Sequence, residues 1–217
     1  MVNLRKEEDF RRRETELLQI AHQLFREQGP SKVSVESIAQ KLGVAKGTVY
    51  LHVRSKHEIF ALLCISYLTD LEEKLKVLDR KRSIQSQIRF LCRSYFEFCF
   101  ADLARYKTYS ILRNAIDIKA LREPIQQRYY DRFRSLKLFV MNIIEDGLQQ
   151  GVLPEANPDQ LFVLGLGLLD GTLETLVKSP FEIKIDDIAS FFDLAETVLT
   201  RALILVEEGA VVERGCA

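Results

Sequence analysis

One segment of the chain brings together side chains suited to hydrogen bonding with a polyanion. Lys46, Gly47, Thr48, Tyr50 and His52 lie within about two helical turns of one another. Short or hydrogen-bonding groups in this arrangement suit the base edges and phosphates of duplex DNA. Any helical hairpin can carry such groups, so the pattern alone supports DNA binding and a plain structural helix about equally.

Two short helices joined by a tight turn must position these side chains. The apolar spacing predicts one helix over Val35–Leu42 and a second over Lys46–His52. Ser34 is a suitable N-cap for the first helix, and Gly43 ends it. Two short helices around a glycine-containing turn are typical of a helix-turn-helix, here at about residues 34–53.

Helical periodicity continues along the chain. Apolar stripes predict, among others, a first helix from about Arg11 to Gln28, a long helix over Ser55–Leu78 and a last helix over about Asp186–Glu207. The 217 residues include 5 Pro and 10 Gly, few helix breakers for this length. Phe181–Ile185 alternates like a strand but is too short and isolated to form a sheet. The sequence therefore predicts an all-α protein.

The distribution of charge excludes some classes of protein. The 31 Lys and Arg residues balance the 31 Asp and Glu residues, which excludes a uniformly basic coat and a disordered acidic tail. The first 58 residues hold 11 basic and 8 acidic side chains, and the remainder holds 20 and 23. Arg11–Arg13 precede the first apolar stripe. They could form a basic arm that contacts DNA, or they could be solvent-exposed residues at the start of a helix.

Nothing in the sequence indicates export or membrane insertion. No uninterrupted apolar run of about 18 residues occurs, so we expect no transmembrane span. Met1–Arg13 is charged and lacks the apolar core of a signal peptide. Cys64, Cys92, Cys99 and Cys216 form no CxxC pair and are expected to be free thiols. We therefore expect a cytoplasmic protein.

An enzyme is the main alternative class. The three His residues all lie near the N-terminus without the spacing of a zinc-binding helix, and no G-x-S-x-G motif is present. The glycine-rich stretch 165–171 follows no strand and has the wrong spacing for a dinucleotide loop. Cys92 and Cys99 share a predicted helix face, where buried thiols are more usual than a thiol sensor. We expect no catalytic residue, metal site or cofactor. A third alternative is a helical scaffold protein without a binding function, but it would not explain the pattern of residues around Lys46.

The residues around the predicted helix-turn-helix follow a recognisable pattern. Leu17–Gly29, Val35–Tyr50 and the pair Ser55–Lys56 together resemble the tetracycline-repressor (TetR) family of bacterial transcription regulators. The resemblance covers about the first 70 residues and lies in the spacing, the glycines and the run Lys-Gly-Thr-aliphatic-Tyr. This chain has Ala45 where the family often has Ser, and His52–Val53 where it often has Tyr-Phe. Because of these two departures, the DNA sequence that such a protein would recognise cannot be inferred from the resemblance.

The resemblance implies a homodimer in which each chain has two helical domains. A DNA-binding domain would cover residues 11–71, and a ligand-sensing and dimerisation domain would cover residues 72–217. Each recognition helix would enter one major groove of a pseudo-palindromic operator in double-stranded DNA. The predicted DNA-binding residues are Arg12, Ser34, Lys46, Gly47, Thr48, Tyr50, His52 and Lys56.

A second group of residues suits a ligand cavity. Phe90–Phe139 contains 11 of the 20 aromatic residues, interspersed with Arg and Asn side chains. Such a set forms either a packed helical core or an apolar pocket with a few polar groups. Because the resemblance implies a ligand site, we expect a small hydrophobic effector. The candidate pocket residues are Arg93, Tyr95, Phe96, Tyr109, Arg113, Tyr129, Phe133 and Asp170.

The last two predicted helices are apolar around much of their circumference. One small core cannot bury all of these side chains, so two helices from each protomer are expected to form a four-helix dimer interface. The candidate dimerisation residues are Leu161, Leu164, Leu168, Phe191, Leu194 and Val198. Taken together, these observations predict a sequence-specific DNA-binding transcriptional regulator that is not an enzyme. We expect a repressor that a small hydrophobic ligand releases from its operator.

Overall fold

A computed structural model describes residues 2–178, 185 and 187–204. These residues form nine α-helices, one 3₁₀ turn at Ile118–Ala120 and no strand, which confirms the all-α prediction. The helices are α1 (Val2–Gln28), α2 (Val35–Leu42), α3 (Lys46–His52), α4 (Lys56–Leu75), α5 (Ile84–Ala101), α6 (Leu103–Ala115), α7 (Glu123–Gln149), α8 (Pro158–Lys178) and α9 (Ile188–Leu203).

The first helix is longer than the sequence predicts. It begins at Val2 rather than near Arg11, so the three arginines lie within a helix. Ion pairs within the helix join Arg11 to Glu7 at 2.9 Å and Arg12 to Asp9 at 3.0 Å. Because these pairs are spaced three and four residues apart, they favour the helical conformation over an extended arm.

Two other predicted helix ends also differ. The long helix α4 ends at Leu75, three residues before the predicted Leu78. The last helix, α9, covers Ile188–Leu203, while the predicted end at Glu207 lies outside the described residues. The strand-like stretch also lies outside them, apart from Ile185.

The chain divides into two compact units that alternate along the sequence. The first comprises Met1–Lys74 and Phe98–Leu136, and the second comprises Leu75–Glu97 and Lys137–Ala217. The core of the first unit contains the fully buried side chains of Leu17, Ile38, Val49, Ile59 and Tyr106. The helix-turn-helix therefore shares its compact unit with α6 and the first part of α7.

The second unit has a core of aromatic and aliphatic side chains. Phe96 on α5 is fully buried and stacks on Phe192 of α9, with ring centroids 6.2 Å apart. The helix α8 is long and apolar enough to cross a membrane by length and composition, although the sequence has no unbroken apolar run. One such helix is weak evidence for a membrane span. Only 11% of its most apolar window is buried within the chain.

Candidate nucleic-acid interface

The turn between α2 and α3 depends on one glycine. Gly43 has φ 69° and lies in the left-handed region, which residues with a Cβ adopt only with strain. Its conformation allows the amide of Val44 to donate to the carbonyl of Ala39 at 3.1 Å. Ile38, Ala39 and Val49 are buried and hold the two helices together. The two predicted helices, Val35–Leu42 and Lys46–His52, are confirmed.

The N-terminus of α2 is closed by a reciprocal cap. The Ser34 hydroxyl accepts a hydrogen bond from the amide of Ser37, and the Ser37 hydroxyl accepts one from the amide of Ser34, both at 3.1 Å. A cap of this kind satisfies amides that the first helical turn leaves without partners. Ser34, a predicted DNA-binding residue, thus has a structural role at the start of the helix-turn-helix.

The outer face of α3 carries most of the predicted DNA-binding residues. Lys46, Gly47 and Tyr50 are exposed, and Thr48 is half-buried. The Lys46 ammonium forms an ion pair with Glu36 on α2 and lies 5.5 Å from the centre of the Tyr50 ring. These contacts place the Lys46 ammonium between Glu36 of α2 and the Tyr50 ring of α3. The face therefore presents a cation, a hydroxyl and a phenol side by side.

Leu51 is a residue of this face that the sequence analysis missed. Its side chain is 71% exposed, an unusual position for a large apolar residue beside a polar surface. It lies one helical turn after Gly47, and that spacing is the signal in the sequence that could have identified it. Apolar side chains on a recognition helix can contact the methyl group of thymine.

His52 points away from the outer face. It is 6% exposed, and its ring packs on Phe10 of α1 with centroids 4.1 Å apart. It follows Val49 by three residues, so it shares the inward face of α3. Burial lowers the pKa of His52, and Arg13 lowers it further while Glu14 opposes the shift. The imidazole is a packing group between α1 and α3.

Lys56 at the start of α4 is bound to the backbone of its own unit. Its ammonium donates to the carbonyls of Pro30 at 2.8 Å and Val33 at 3.2 Å. These bonds fix the loop that leads into α2. The remaining predicted residue, Arg12, is exposed on α1 and paired with Asp9.

A buried carboxylate connects the end of α3 to the start of α7. Glu58 is 1% exposed and accepts hydrogen bonds from the Arg122 side chain at 2.7 and 2.8 Å and from the amide of Arg54 at 2.7 Å. Arg122 also donates to the carbonyl of His52 at 2.8 Å. Burial alone would raise the pKa of Glu58, but the hydrogen bonds from Arg122 and Arg54 outweigh it and lower the pKa.

The candidate pocket residues divide equally between the two units. In the first unit, Tyr109 is buried, the Arg113 guanidinium lies 5.5 Å from the centre of its ring, and Tyr129 packs on Phe133 at 4.8 Å. Burial raises the pKa of Tyr129 to about 12. The four members of the first unit therefore lie among aromatic neighbours.

The other four candidate pocket residues belong to the second unit. Tyr95 donates a hydrogen bond to Asp170. Arg93 binds three carboxylates, those of Asp193 at 2.6 Å, Glu97 at 3.2 Å and Glu196 at 3.4 Å. The positive charge of Arg93, a candidate pocket residue, is thus matched by carboxylates within its own unit.

The candidate dimerisation residues differ in exposure. Leu164, Leu168, Leu194 and Val198 are 60%, 41%, 63% and 55% exposed. Phe191 is half-buried, with its ring centroid 6.0 Å from that of Phe96. Leu161 is 6% exposed and contributes to the core of its own chain. The exposed members leave a large apolar surface on α8 and α9.

The cysteines of the described residues have the character of core side chains. Cys64, Cys92 and Cys99 are buried thiols rather than disulfides. Burial raises the pKa of Cys64 and of Cys92 to about 12, which disfavours the reactive thiolate. Cys216 lies outside the described residues. Within those residues, no cluster of His, Cys, Asp and Glu could hold a metal ion.

Comparison with known proteins places these features in context. Residues 17–63 match the sequence profile of the bacterial regulatory proteins of the tetR family. The uncharacterized HTH-type transcriptional regulator YdeS of Bacillus subtilis (strain 168) is 27% identical over 143 residues, which cover 64% of this chain and 66% of that protein, just under two thirds of its length. The nucleoid occlusion factor SlmA of Vibrio vulnificus (strain YJ016) is 25% identical over 176 residues, covering 79% of this chain and 86% of that protein.

A solved structure has the same fold over nearly the whole chain. It is a putative tetR family transcription regulator from Shewanella sp. PV-4, with a TM-score of 0.68 and 17% sequence identity. The superposition covers 89% of this chain and 98% of that one. The fold thus combines an N-terminal helix-turn-helix with a C-terminal helical region.

Replacing Arg122 by Met is expected to lower the free energy of unfolding by about 3 kcal/mol, because it leaves a buried carboxylate without its partner. Urea unfolding at neutral pH measures the change. Adding Glu58→Gln to this variant should recover part of the loss, since the charge is then removed. The matched control, Arg134→Met, breaks an exposed ion pair with Asp131 and should change stability by less than about 0.5 kcal/mol. Equal stability of the Arg122 and Arg134 variants would contradict this account of Glu58.

Acidification is expected to destabilise the protein through its packed histidines. The pKa values of His22 and His52 are lowered from 6.5, chiefly by burial, so the unfolded chain takes up protons before the folded one does. Stability should therefore fall as the pH drops through 6.5 towards the pKa values of the folded protein.

Urea unfolding at several pH values between about 7.5 and 5.5 tests this expectation. A His52→Phe variant keeps a ring against Phe10 but cannot bind a proton, so its stability should depend less on pH. A pH dependence identical to that of the unsubstituted protein would assign the effect to other groups.

Proposed function

We propose that this chain is a DNA-binding regulator of the TetR family of bacterial regulatory proteins, which residues 17–63 match, and that it is a homodimeric repressor released from its operator by a small hydrophobic ligand. The observation that carries this proposal is the outer face of α3. Its polar groups and Leu51 are exposed, while Val49 and His52 anchor the opposite face in the core. It acts in the cytoplasm, where bacterial DNA lies.

The exposed groups of α3 have distinct roles in this proposal. Tyr50 and Thr48 donate hydrogen bonds to phosphates or base edges, and Leu51 contacts a thymine methyl group. Lys46 exchanges its partner Glu36 for a phosphate, which its exposed position on α3 permits. Gly47 has open space beside its Cα, which allows the backbone to approach DNA closely.

The flanking residues position this face on the DNA backbone. Arg12 reaches a phosphate from α1, and Ser34 places the N-terminus of α2 towards another. The Lys56 ammonium donates hydrogen bonds to the carbonyls of Pro30 and Val33, and its third N–H can donate to a phosphate. His52 contributes by packing α3 on α1.

A second copy of this chain is the proposed occupant of the apolar surface on α8 and α9. Soluble proteins rarely expose contiguous apolar patches of this kind without a partner. Two such helices from each protomer would form a four-helix bundle that covers Leu164, Leu168, Leu194 and Val198, with Phe191 at its edge. A twofold dimer would present two copies of α3 to successive major grooves, about 34–36 Å apart along the operator.

The effector site is proposed among the aromatic residues. Each unit offers its own apolar candidates for a hydrophobic ligand: Tyr109, Tyr129 and Phe133 in the first unit, and separately Tyr95 and Phe96 in the second. Arg113 and Asp170 are the polar groups of this set. Residues 11–71 form the proposed DNA-binding domain, and residues 72–217 the sensing and dimerisation domain. Ligand binding would shift α4 and change the spacing of the two recognition helices, with a coupling of about 1–3 kcal/mol.

Operator binding tests the assignment of α3. Lys46→Ala and Tyr50→Ala are each expected to weaken binding about tenfold, which corresponds to about 1.4 kcal/mol. The measurement is fluorescence anisotropy on labelled duplexes from upstream of the gene, with competitor DNA and several salt concentrations. Lys107→Ala is the control, because Lys107 is an exposed lysine on α6. Unchanged affinity in both α3 variants would exclude this face as the reader.

Sedimentation tests the dimer. Leu194→Glu combined with Val198→Glu places two charges on the apolar surface and is expected to yield folded monomers. The control Val77→Glu changes a residue that is 75% exposed outside α8 and α9 and should remain dimeric. Monomers should bind two half-sites far more weakly than the dimer does. A double variant that stays dimeric would contradict the proposed interface.

A further inference from the structure

A cleft in the first unit lies outside the functions considered above, except that its lining includes the candidate pocket residue Tyr109. It has a volume of about 480 Å³, within the range of small-molecule sites. Its walls come from α1, α4 and α6. The residues that line it lie between positions 15 and 26, between 63 and 70, and between 102 and 112. Of the candidate pocket residues, it contains only Tyr109.

The floor of the cleft is apolar and partly aromatic. Leu18, Leu63 and Leu112 line it together with Tyr67 and Tyr109. The two tyrosine rings stack with centroids 4.1 Å apart and 12° between their planes, which gives the floor a fixed shape. A flat apolar group of a ligand can pack on such a surface.

The rim of the cleft carries two guanidinium groups. Arg105 pairs with Asp70 and lies 5.2 Å from the centre of the Tyr67 ring, so it is held in place. Arg26 lies 3.4 Å from Asp102, a long ion pair that leaves guanidinium donors for a ligand. The side chain of Arg26 is 42% exposed, so it can turn towards a bound group.

An imidazole nitrogen beside these groups has no protein partner. The Nε2 atom of His22 is buried and makes no hydrogen bond. Burial lowers the pKa of His22, and the charges of Arg26 and Arg105 lower it further against the opposing charge of Asp102. Arg26 and Arg105 therefore place positive charge near this imidazole, and Asp70 and Asp102 also line the cleft.

We propose that this cleft binds a small amphipathic carboxylate, with its apolar body on the tyrosine floor and its carboxylate between His22, Arg26 and Arg105. The carboxylate would accept the hydrogen bond that His22 Nε2 lacks and would share the two guanidinium groups. A bound ligand would join α1 to α4 and α6 within the unit that carries the recognition helix. The proposal does not rest on the repressor function, because binding is measured without DNA.

The test compares an acid with its uncharged amide. Isothermal titration of the full chain with 2-naphthylacetate and with 2-naphthylacetamide should give at least tenfold tighter binding of the acid. Hydrogen exchange of the complex should slow in α1, α4 and α6. Equal affinity for the two compounds, or protection confined to α8 and α9, would overturn the proposal.

Variants locate the binding to the cleft. Arg26→Gln should weaken binding of the acid about tenfold while leaving the amide unaffected. Ser66→Trp introduces a large ring from an exposed position in the lining and should abolish binding of both compounds. Arg134→Gln, an exposed arginine outside the lining, is the control for charge. Binding that survives Ser66→Trp would place the ligand elsewhere and refute this site.

Discussion

The position of α3 depends on the buried carboxylate of Glu58, which is 1% exposed. A buried charge is tolerated only when it is paired and hydrogen-bonded, and Glu58 meets this condition through Arg122 and the amide of Arg54. Because Arg122 also binds the carbonyl of His52, the same guanidinium holds the C-terminal end of α3. The helix α3 and the start of α7 are therefore parts of one hydrogen-bonded network.

Along α3, packing buries some residues and leaves their immediate neighbours exposed to solvent. Val49 and His52 are buried, whereas Tyr50 and Leu51 between them are exposed. A helix turns about 100° per residue, so adjacent side chains must point in different directions. Because His52 packs on Phe10, the N-terminal part of α1 helps to hold α3 in place. The basic residues of α1 are thus presented from a helix rather than from an extended arm.

Much of the fold followed from local patterns. The glycine at position 43, the cap at Ser34 and the apolar spacing of α2 and α3 predicted the helix-turn-helix, because each acts over a few residues. The sequence prediction began α1 near Arg11 instead of at Val2 and ended α4 at Leu78 instead of Leu75. Both errors concern helix ends, where the local sequence contains no residue that clearly starts or stops a helix. For the candidate site, spacing correctly placed Lys46, Gly47, Thr48 and Tyr50 on the outer face of α3. The same list included His52, which instead packs on Phe10.

The sequence by itself determined the helical class, the position of the helix-turn-helix and the apolar character of α8 and α9, because periodicity and capping are properties of neighbouring residues. Only the tertiary structure decided which partners distant residues meet. Arg122 and Glu58 lie far apart along the chain, and nothing in their local sequence marks them as a buried pair. Likewise Arg93 is neutralised by carboxylates of α9, and Leu161 is buried while Leu164 is exposed. Such outcomes depend on how helices pack, and packing is a property of the whole fold.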